Sequence, residues 1–345
     1  MNIAVLAGGY SHERDVSLTS ASLISNALID EGHKICLCDV YLGLELKSKD
    51  EMFTSTRTEI HKIENSVPDL DVLKAQSGNG DALIGKNVIE LCKMADVVFL
   101  ALHGSMGENG QLQATLDNFG IKYTGSGYVG SLLAMDKDIS KKLFKFSGVT
   151  TPDWIRCTSD ADVDTIINTI GFPCVVKPTS SGSSVGISLV DNRDELISAL
   201  DIAKRYEDSI IIEKQIIGRE FTVGVLDGEV LPIIEIIPTE GFYDYENKYQ
   251  AGKTQEICPA QISESLKNRL AEQALLAFTS LRLSGYARFD FLADKDENTF
   301  CLEANTLPGM TPTSLLPQMA AANGISYGKL CTKIIETALK KSISI

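Results

Sequence analysis

The sequence predicts a mixed fold, α/β at its N-terminal end and α+β beyond it, with a parallel sheet first and antiparallel strands later. Three observations predict this. Apolar strands alternate with helical patterns through the first hundred residues, the rhythm of a parallel βαβ sheet. From Gly218 onward strands follow one another directly, with Asp227-Gly228 suited to a two-residue hairpin turn. A length of 345 residues exceeds one ordinary core, so two or three domains are expected.

The elements follow in order. Asn2 to Leu6 reads as a strand, about Ser17 to Glu31 as a helix, His33 to Asp39 and Val97 to Ala101 as strands, with a helix from about Gly110. Between Leu44 and Asn87 the periodicity fades into Gly-, Ser- and Asp-containing sequence, an insertion of loops and short elements. A second segment opens near Gly125, with helices expected at about Asp136 to Ser147 and Asp160 to Ile170. Cys174 to Lys177, Ile187 to Val190 and Ile210 to Glu213 read as strands, Pro178 to Gly186 as a small-residue loop, and Asp191 as a helix N-cap. Glu220 to Leu226 and Glu229 to Ile233 flank the hairpin turn. Gly241 to Gln255 carries four Tyr or Phe residues among charges, the character of a functional lid. Leu266, Leu270, Ala274, Phe278 and Leu281 mark one face of a helix before strands Tyr286 to Leu292 and Thr299 to Ala304. An amphipathic helix from about Tyr327 to Lys341 ends the pattern. The expected domains are 1–124, 125–216 and 217–345, with a lid loop at 241–257.

Composition narrows the function. Lys and Arg number 32 against 46 Asp and Glu, a formal charge of −14, and no basic patch offsets it, so nucleic acid and anionic membrane surfaces are excluded as partners. No apolar run reaches the roughly 18 residues of a membrane span. The N-terminal strand lacks the features of a secretory signal, so a cytoplasmic location is expected. The eight cysteines are scattered without a CxxC pair and read as reduced core residues.

Four motifs carry chemistry. Gly8-Gly9 follows the first strand and precedes a helix, either an anion-facing turn or a tight βα connection, and it is not the GxGxxG of nicotinamide enzymes. Gly80 to Asn87 has GxxxxGK spacing but Asn where a phosphate loop needs Ser or Thr, and an apolar interior. Lys177 to Gly186 places hydroxyls, free amides and a lysine between two strands, as in a flap over phosphates. The last strand pair carries the strongest signal. Alternation puts Arg288 and Asp290 on one face of the first strand and Glu303 and Asn305 on one face of the second. Such all-oxygen donors suit Mg²⁺ or Mn²⁺, and the rigid Thr306 to Ser314 loop lies at the strand end where sites are built.

Over nearly its whole length the chain resembles the D-alanine:D-alanine ligase family of ATP-grasp enzymes. The resemblance rests on Gly8 through Ser17, Leu102-His103-Gly104 with Gly107 to Gly110, Met135-Asp136-Lys137, and Lys177-Pro178 through Gly186. Further along it rests on Glu220 to Val223, Phe242 to Tyr249, Ala287 to Asp290, Glu303 to Thr306, Pro308 to Thr311, and Ser314. It implies an ATP-grasp fold with ATP held between the two later domains, two Mg²⁺ (or Mn²⁺) ions on Asp290, Glu303 and Asn305, and Lys137 and Lys177 on the phosphates. Glu213, Lys214, Ile216 and Glu220 would form the adenosine site. Glu13 would hold the first D-alanine ammonium and join Ser183 and Tyr249 in closing the lid. His103 would belong to the substrate site, Lys248 and Ser314 would bind the second carboxylate, and Arg288 with the Gly309 N–H would stabilise an oxyanion. A homodimer is implied by the family. The implied reaction joins two D-alanine molecules for peptidoglycan precursor synthesis. D-serine- and D-lactate-using relatives are the alternative; the resemblance implies that Tyr249 favours an amine nucleophile and D-alanine as second substrate, whereas the D-lactate relatives carry a different lid. Asn109 departs from the family's usual Asp.

Overall fold

The computed structural model describes residues 1–62, 68–158, 160–180, 182, 186–238 and 254–341, apart from the side chain of Ser105. Thirteen strands among these residues form three sheets. The first contains β1 (Asn2–Ala7), β2 (Lys34–Asp39) and β3 (Val97–Leu100), all parallel in the order β2-β1-β3. Both faces are covered, so β1 reads as an unbroken buried run from Ile3 to Ala7. Its core continues into Leu330, Ile334 and Ile335 of the helix Tyr327–Lys340, which packs on the helix Arg14–Asp30.

The second sheet is antiparallel and contains β4 (Trp154–Thr158), β5 (Cys174–Pro178), β6 (Ser188–Val190) and β7 (Ser209–Lys214) in the order β4-β7-β5-β6. The third contains β8 (Arg219–Leu226), β9 (Glu229–Val230), β10 (Ile234–Pro238), β11 (Thr254–Ile257), β12 (Tyr286–Ala293) and β13 (Thr299–Asn305). Its order is β11-β10-β8-β12-β13, with β9 paired to β8 through the Asp227-Gly228 turn, both of whose residues have positive φ. The helix Glu264–Ser280 buries Leu266, Leu270, Ala274 and Ala277 against this sheet, the face its spacing predicts.

Several boundaries differ from the sequence reading. Thr254–Ile257, expected within the lid, is strand β11 on β10, and residues 241–253 of the expected lid lie outside the described residues. The helix expected from Asp191 is capped by Asn192 instead, whose side chain accepts from Glu195 N at 3.1 Å. The first helix starts at Arg14 rather than Ser17 because Ser17 N already bonds Glu13 O at 3.0 Å. Elements without a readable sequence signal include β4, a short edge strand with mixed burial, and the helix Tyr128–Met135, too short to show a period.

Candidate active site

A cavity of about 570 Å³ opens between the N-terminal unit and the third sheet. Its walls include Glu13 and Val16 from the first helix and its cap, His103 and Glu108 from the segment after β3, Lys137, the strand-end residues Arg288, Glu303 and Asn305, and Gly309 and Ser314 from the loop that follows. The expected site residues among these are therefore brought together. Lys177, Glu213, Lys214, Ile216, Glu220 and Asp290 do not line it, and Ser183, Lys248 and Tyr249 lie outside the described residues.

The glycine turn after β1 is a connection rather than an anion cradle. Gly8 N donates to Ser17 Oγ at 2.9 Å and Gly9 N to Asp39 Oδ1 at 3.3 Å, so both amides have protein partners. A Cβ on Gly8, at φ +69°, would come within 2.3 Å of the Asp39 carboxylate, so only glycine fits. The turn delivers Glu13 to the cavity at the head of the first helix. Gly104 presses on it: a Cβ there would come within 2.6 Å of Ser11 Oγ and 3.1 Å of Glu13 Oε2. The GxxxxGK look-alike is also occupied, with Gly85 N bonded to Val40 O at 2.8 Å.

Burial pushes the His103 pKa down, against the raising influence of Glu13. Its Nε2 is buried with no hydrogen-bond partner among the described residues. Glu108 lies behind it, accepting from Gly104 N at 2.8 Å, and burial together with the charge of Glu13 raises its pKa to about 8. In the sequence Glu108 is visible only as part of a motif, with no role of its own. A carboxyl among glycines carries no periodic signal, and its closeness to Glu13 arises only when β1 and β3 pair.

The strand pair forms as alternation requires. Arg288 stands opposite Asn305 and Asp290 opposite Glu303 in the antiparallel register, while Ala287, Phe289 and Phe291 are buried on the other face. Asp290 accepts from Thr222 Oγ1 at 2.7 Å and forms a bidentate pair with Arg288 at 2.8 and 3.0 Å. Lys137 Nζ lies 3.4 Å from Glu303 Oε2, held at the start of the helix Lys137–Phe146 by the Asp136 cap and by its own N–H on Thr179 O at 3.1 Å. Two carboxylates and an amide on one face are hard oxygen donors that suit a divalent cation, and the hydroxyl already on Asp290 is the outer-shell support such a ligand needs. At the far wall, Thr311 Oγ1 is 2.7 Å from Ser314 Oγ, and Thr311 N donates to that oxygen at 3.1 Å. A Cβ on Gly309 would stand 3.0 Å from it, so this loop packs backbone against hydroxyl.

Beside the cavity is a dry charge cluster that the sequence did not disclose. Lys177 Nζ is 2.6 Å from Glu213 Oε1, and Lys141 Nζ is 2.8 Å from Glu213 Oε2. Burial opposes ionisation of Glu213, but the two lysines outweigh it and hold its pKa below the usual value.

Comparisons with known proteins show the family of the chain. Residues 2–126 match the family described as D-ala D-ala ligase N-terminus, and 136–336 match D-ala D-ala ligase C-terminus. The chain belongs to the D-alanine:D-alanine ligase family. The D-alanine–D-alanine ligase of Pediococcus pentosaceus is 42% identical over 341 residues, covering 97% of each chain. That of Lacticaseibacillus casei is 40% identical over 345 residues, covering 99% of this chain and 96% of the relative. Among solved structures, the D-alanine–D-alanine ligase of Bacillus anthracis complexed with ATP superposes with a TM-score of 0.77 at 35% identity, covering 99% of this chain and 98% of that one. The VanG D-Ala:D-Ser ligase from Enterococcus faecalis reaches 0.75 at 27% identity, covering 98% and 99%. The similar structures thus include ligases whose names give either D-alanine or D-serine as second substrate.

Proposed function

We propose that this chain joins two D-alanine molecules to D-alanyl-D-alanine at the expense of ATP, supplying a peptidoglycan precursor in the cytoplasm. The observation that carries the reading is the meeting of Glu13, Arg288, Glu303 and Asn305 around one cavity, an ammonium acceptor facing an oxyanion donor and oxygen ligands. The greater identity to D-alanine–D-alanine ligases than to the D-serine-using neighbour favours D-alanine as second substrate.

The chemistry follows from the residues. A carboxylate is a poor electrophile, so the first D-alanine must become an acyl phosphate before an amine can attack it. Glu13 takes that substrate's ammonium and orients its carboxylate toward the γ-phosphate, while Lys137 and Lys177 draw the phosphates in. Asp290, Glu303 and Asn305 would hold two Mg²⁺ or Mn²⁺ ions, which supply charge stabilisation for phosphoryl transfer when bound. Ser314 and Lys248 hold the second carboxylate. Attack by the second amine creates a tetrahedral oxyanion, for which Arg288 and the Gly309 N–H are preorganised donors. Ser183 and Tyr249 close the site with Glu13, because water would hydrolyse the acyl phosphate. Glu213, Lys214, Ile216 and Glu220 hold adenosine between units 125–216 and 217–345, His103 serves the substrate end, and the enzyme acts as a homodimer. Phosphate release with ATP, Mg²⁺ and D-alanine alone, with the product identified by mass, tests the reading. The dipeptide is expected; release only after D-serine or D-lactate is added would replace D-alanine as second substrate.

A further inference from the structure

The cluster Lys141–Glu213–Lys177 contains two ammoniums and one carboxylate in a dry interior. Side-chain exposure is 0% for Lys141, 4% for Glu213 and 6% for Lys177. Lys141 also donates to Thr151 Oγ1 at 2.6 Å and lies 5.6 Å from the centre of the Trp154 ring. It is thus fixed between the helix carrying Lys137, the Thr151 turn, β4 and β7. Lys177 is held by Glu213 alone among the contacts of this cluster and projects from β5, one strand over from β7. Burying charge is costly unless it is balanced; burial pushes the Lys141 pKa down while Glu213 raises it, and with both lysines charged the positive charges exceed the negative by one. An anion arriving at Lys177 would relieve that excess. Without Lys141, Glu213 and Lys177 would form a closed neutral pair, and drawing Lys177 away would strand a buried carboxylate.

We infer that Lys141 is a positioning residue for nucleotide binding: it neutralises Glu213, so that Lys177 can leave that carboxylate for the phosphates of ATP. This rests on the reading of Lys177 as a phosphate ligand. Lys141 itself touches no reacting atom. Its effect should therefore appear in ATP affinity and depend on Glu213.

Lys141→Met, which keeps the length and removes the charge, is expected to raise the KM for ATP about tenfold while changing the KM for D-alanine less than about twofold. On a Glu213→Gln background the same change should cost less than about twofold, because no carboxylate then captures Lys177. An equal loss for ATP and D-alanine would mark a merely structural lysine and overturn the inference, as would an undiminished tenfold loss on the Glu213→Gln background. If Lys141→Met alone does not fold, the comparison of Lys141→Met/Glu213→Gln with Glu213→Gln decides by the same criterion. Lys177→Met separates the two readings. Unchanged ATP affinity there would remove Lys177 from the nucleotide site altogether, whereas a loss there with none in Lys141→Met would overturn only the role of Lys141.

Discussion

The β12–β13 hairpin and the interior of the second sheet both gather charge, but they do it in different ways. On the hairpin, Arg288, Asp290, Glu303 and Asn305 share one face because side chains alternate along a strand, and the opposite face is sealed by Phe289 and Phe291. In the second sheet, Lys141 comes from a helix, Lys177 from β5 and Glu213 from β7, and only tertiary packing brings them together. The first arrangement presents Arg288, Glu303 and Asn305 to the cavity, with Asp290 buried behind them. The second removes its charges from water, so that each depends on its neighbours. The cavity-facing residues can meet solvent; a positioning cluster works only while it stays dry.

Replacing the guanidinium strikes the hairpin side hardest. Arg288→Met should lower turnover by about 10²–10³-fold if that group stabilises the developing oxyanion, as measured by phosphate release at saturating ATP and D-alanine. A loss confined to KM would instead make Arg288 a binding group.

A second test concerns Glu108, a half-buried carboxyl on the cavity side. Its pKa is raised from 4.5 to about 8, so between those values the folded form holds a proton that the unfolded chain has released. Stability is therefore full below pH 4.5 and falls as pH rises through about 8. Glu108→Gln, which can still accept from Gly104 N, should flatten that slope and gain roughly a few kcal/mol relative to the parent at pH 9. Denaturant midpoints at pH 5, 7 and 9 measure it, and parallel slopes in both proteins would contradict it.

Thr222→Val removes the hydroxyl that donates to Asp290 at 2.7 Å. The apparent affinity for Mg²⁺ in turnover should fall about tenfold, with the KM for D-alanine unchanged, the mark of outer-shell support. An unchanged Mg²⁺ dependence would place Asp290 outside the metal set.

On the dry side, Lys142 provides the contrast to Lys141. It adjoins Lys141 on the same helix but is 65% exposed, pairing with Asp138 at 2.6 Å. Lys142→Met should leave the KM for ATP unaltered, because its partner is the Asp138 carboxylate, which also accepts from Trp154 Nε1 at 3.0 Å, and not Glu213.

The two regions also differ in how far the sequence discloses them. Period-two alternation alone makes the hairpin readable, including which residues share its face. Gly8-Gly9 is readable only as a turn, and the partners of its amides settle its use: Ser17 Oγ and Asp39 Oδ1 leave no donor for an anion. Lys141 leaves a faint trace, spaced i,i+4 from Lys137 and i,i−3 from buried Phe144, but a lysine in an amphipathic helix ordinarily faces water. Its pairing with Glu213 depends on a sheet whose edge strand β4 gives no clear pattern. Thr254–Ile257 reads as loop because three polar residues and one isoleucine show no period until β10 supplies hydrogen bonds.

In the proposed reaction the cavity passes a phosphoryl group to a D-alanine carboxylate before the amide bond forms. D-alanine labelled with ¹⁸O in its carboxyl group tests this order of events, with the released phosphate analysed by mass. One ¹⁸O is expected to move into each phosphate, because the attacking carboxylate oxygen departs with the phosphoryl group when the amine displaces it. Phosphate released without label during dipeptide formation would contradict an acyl phosphate at this site.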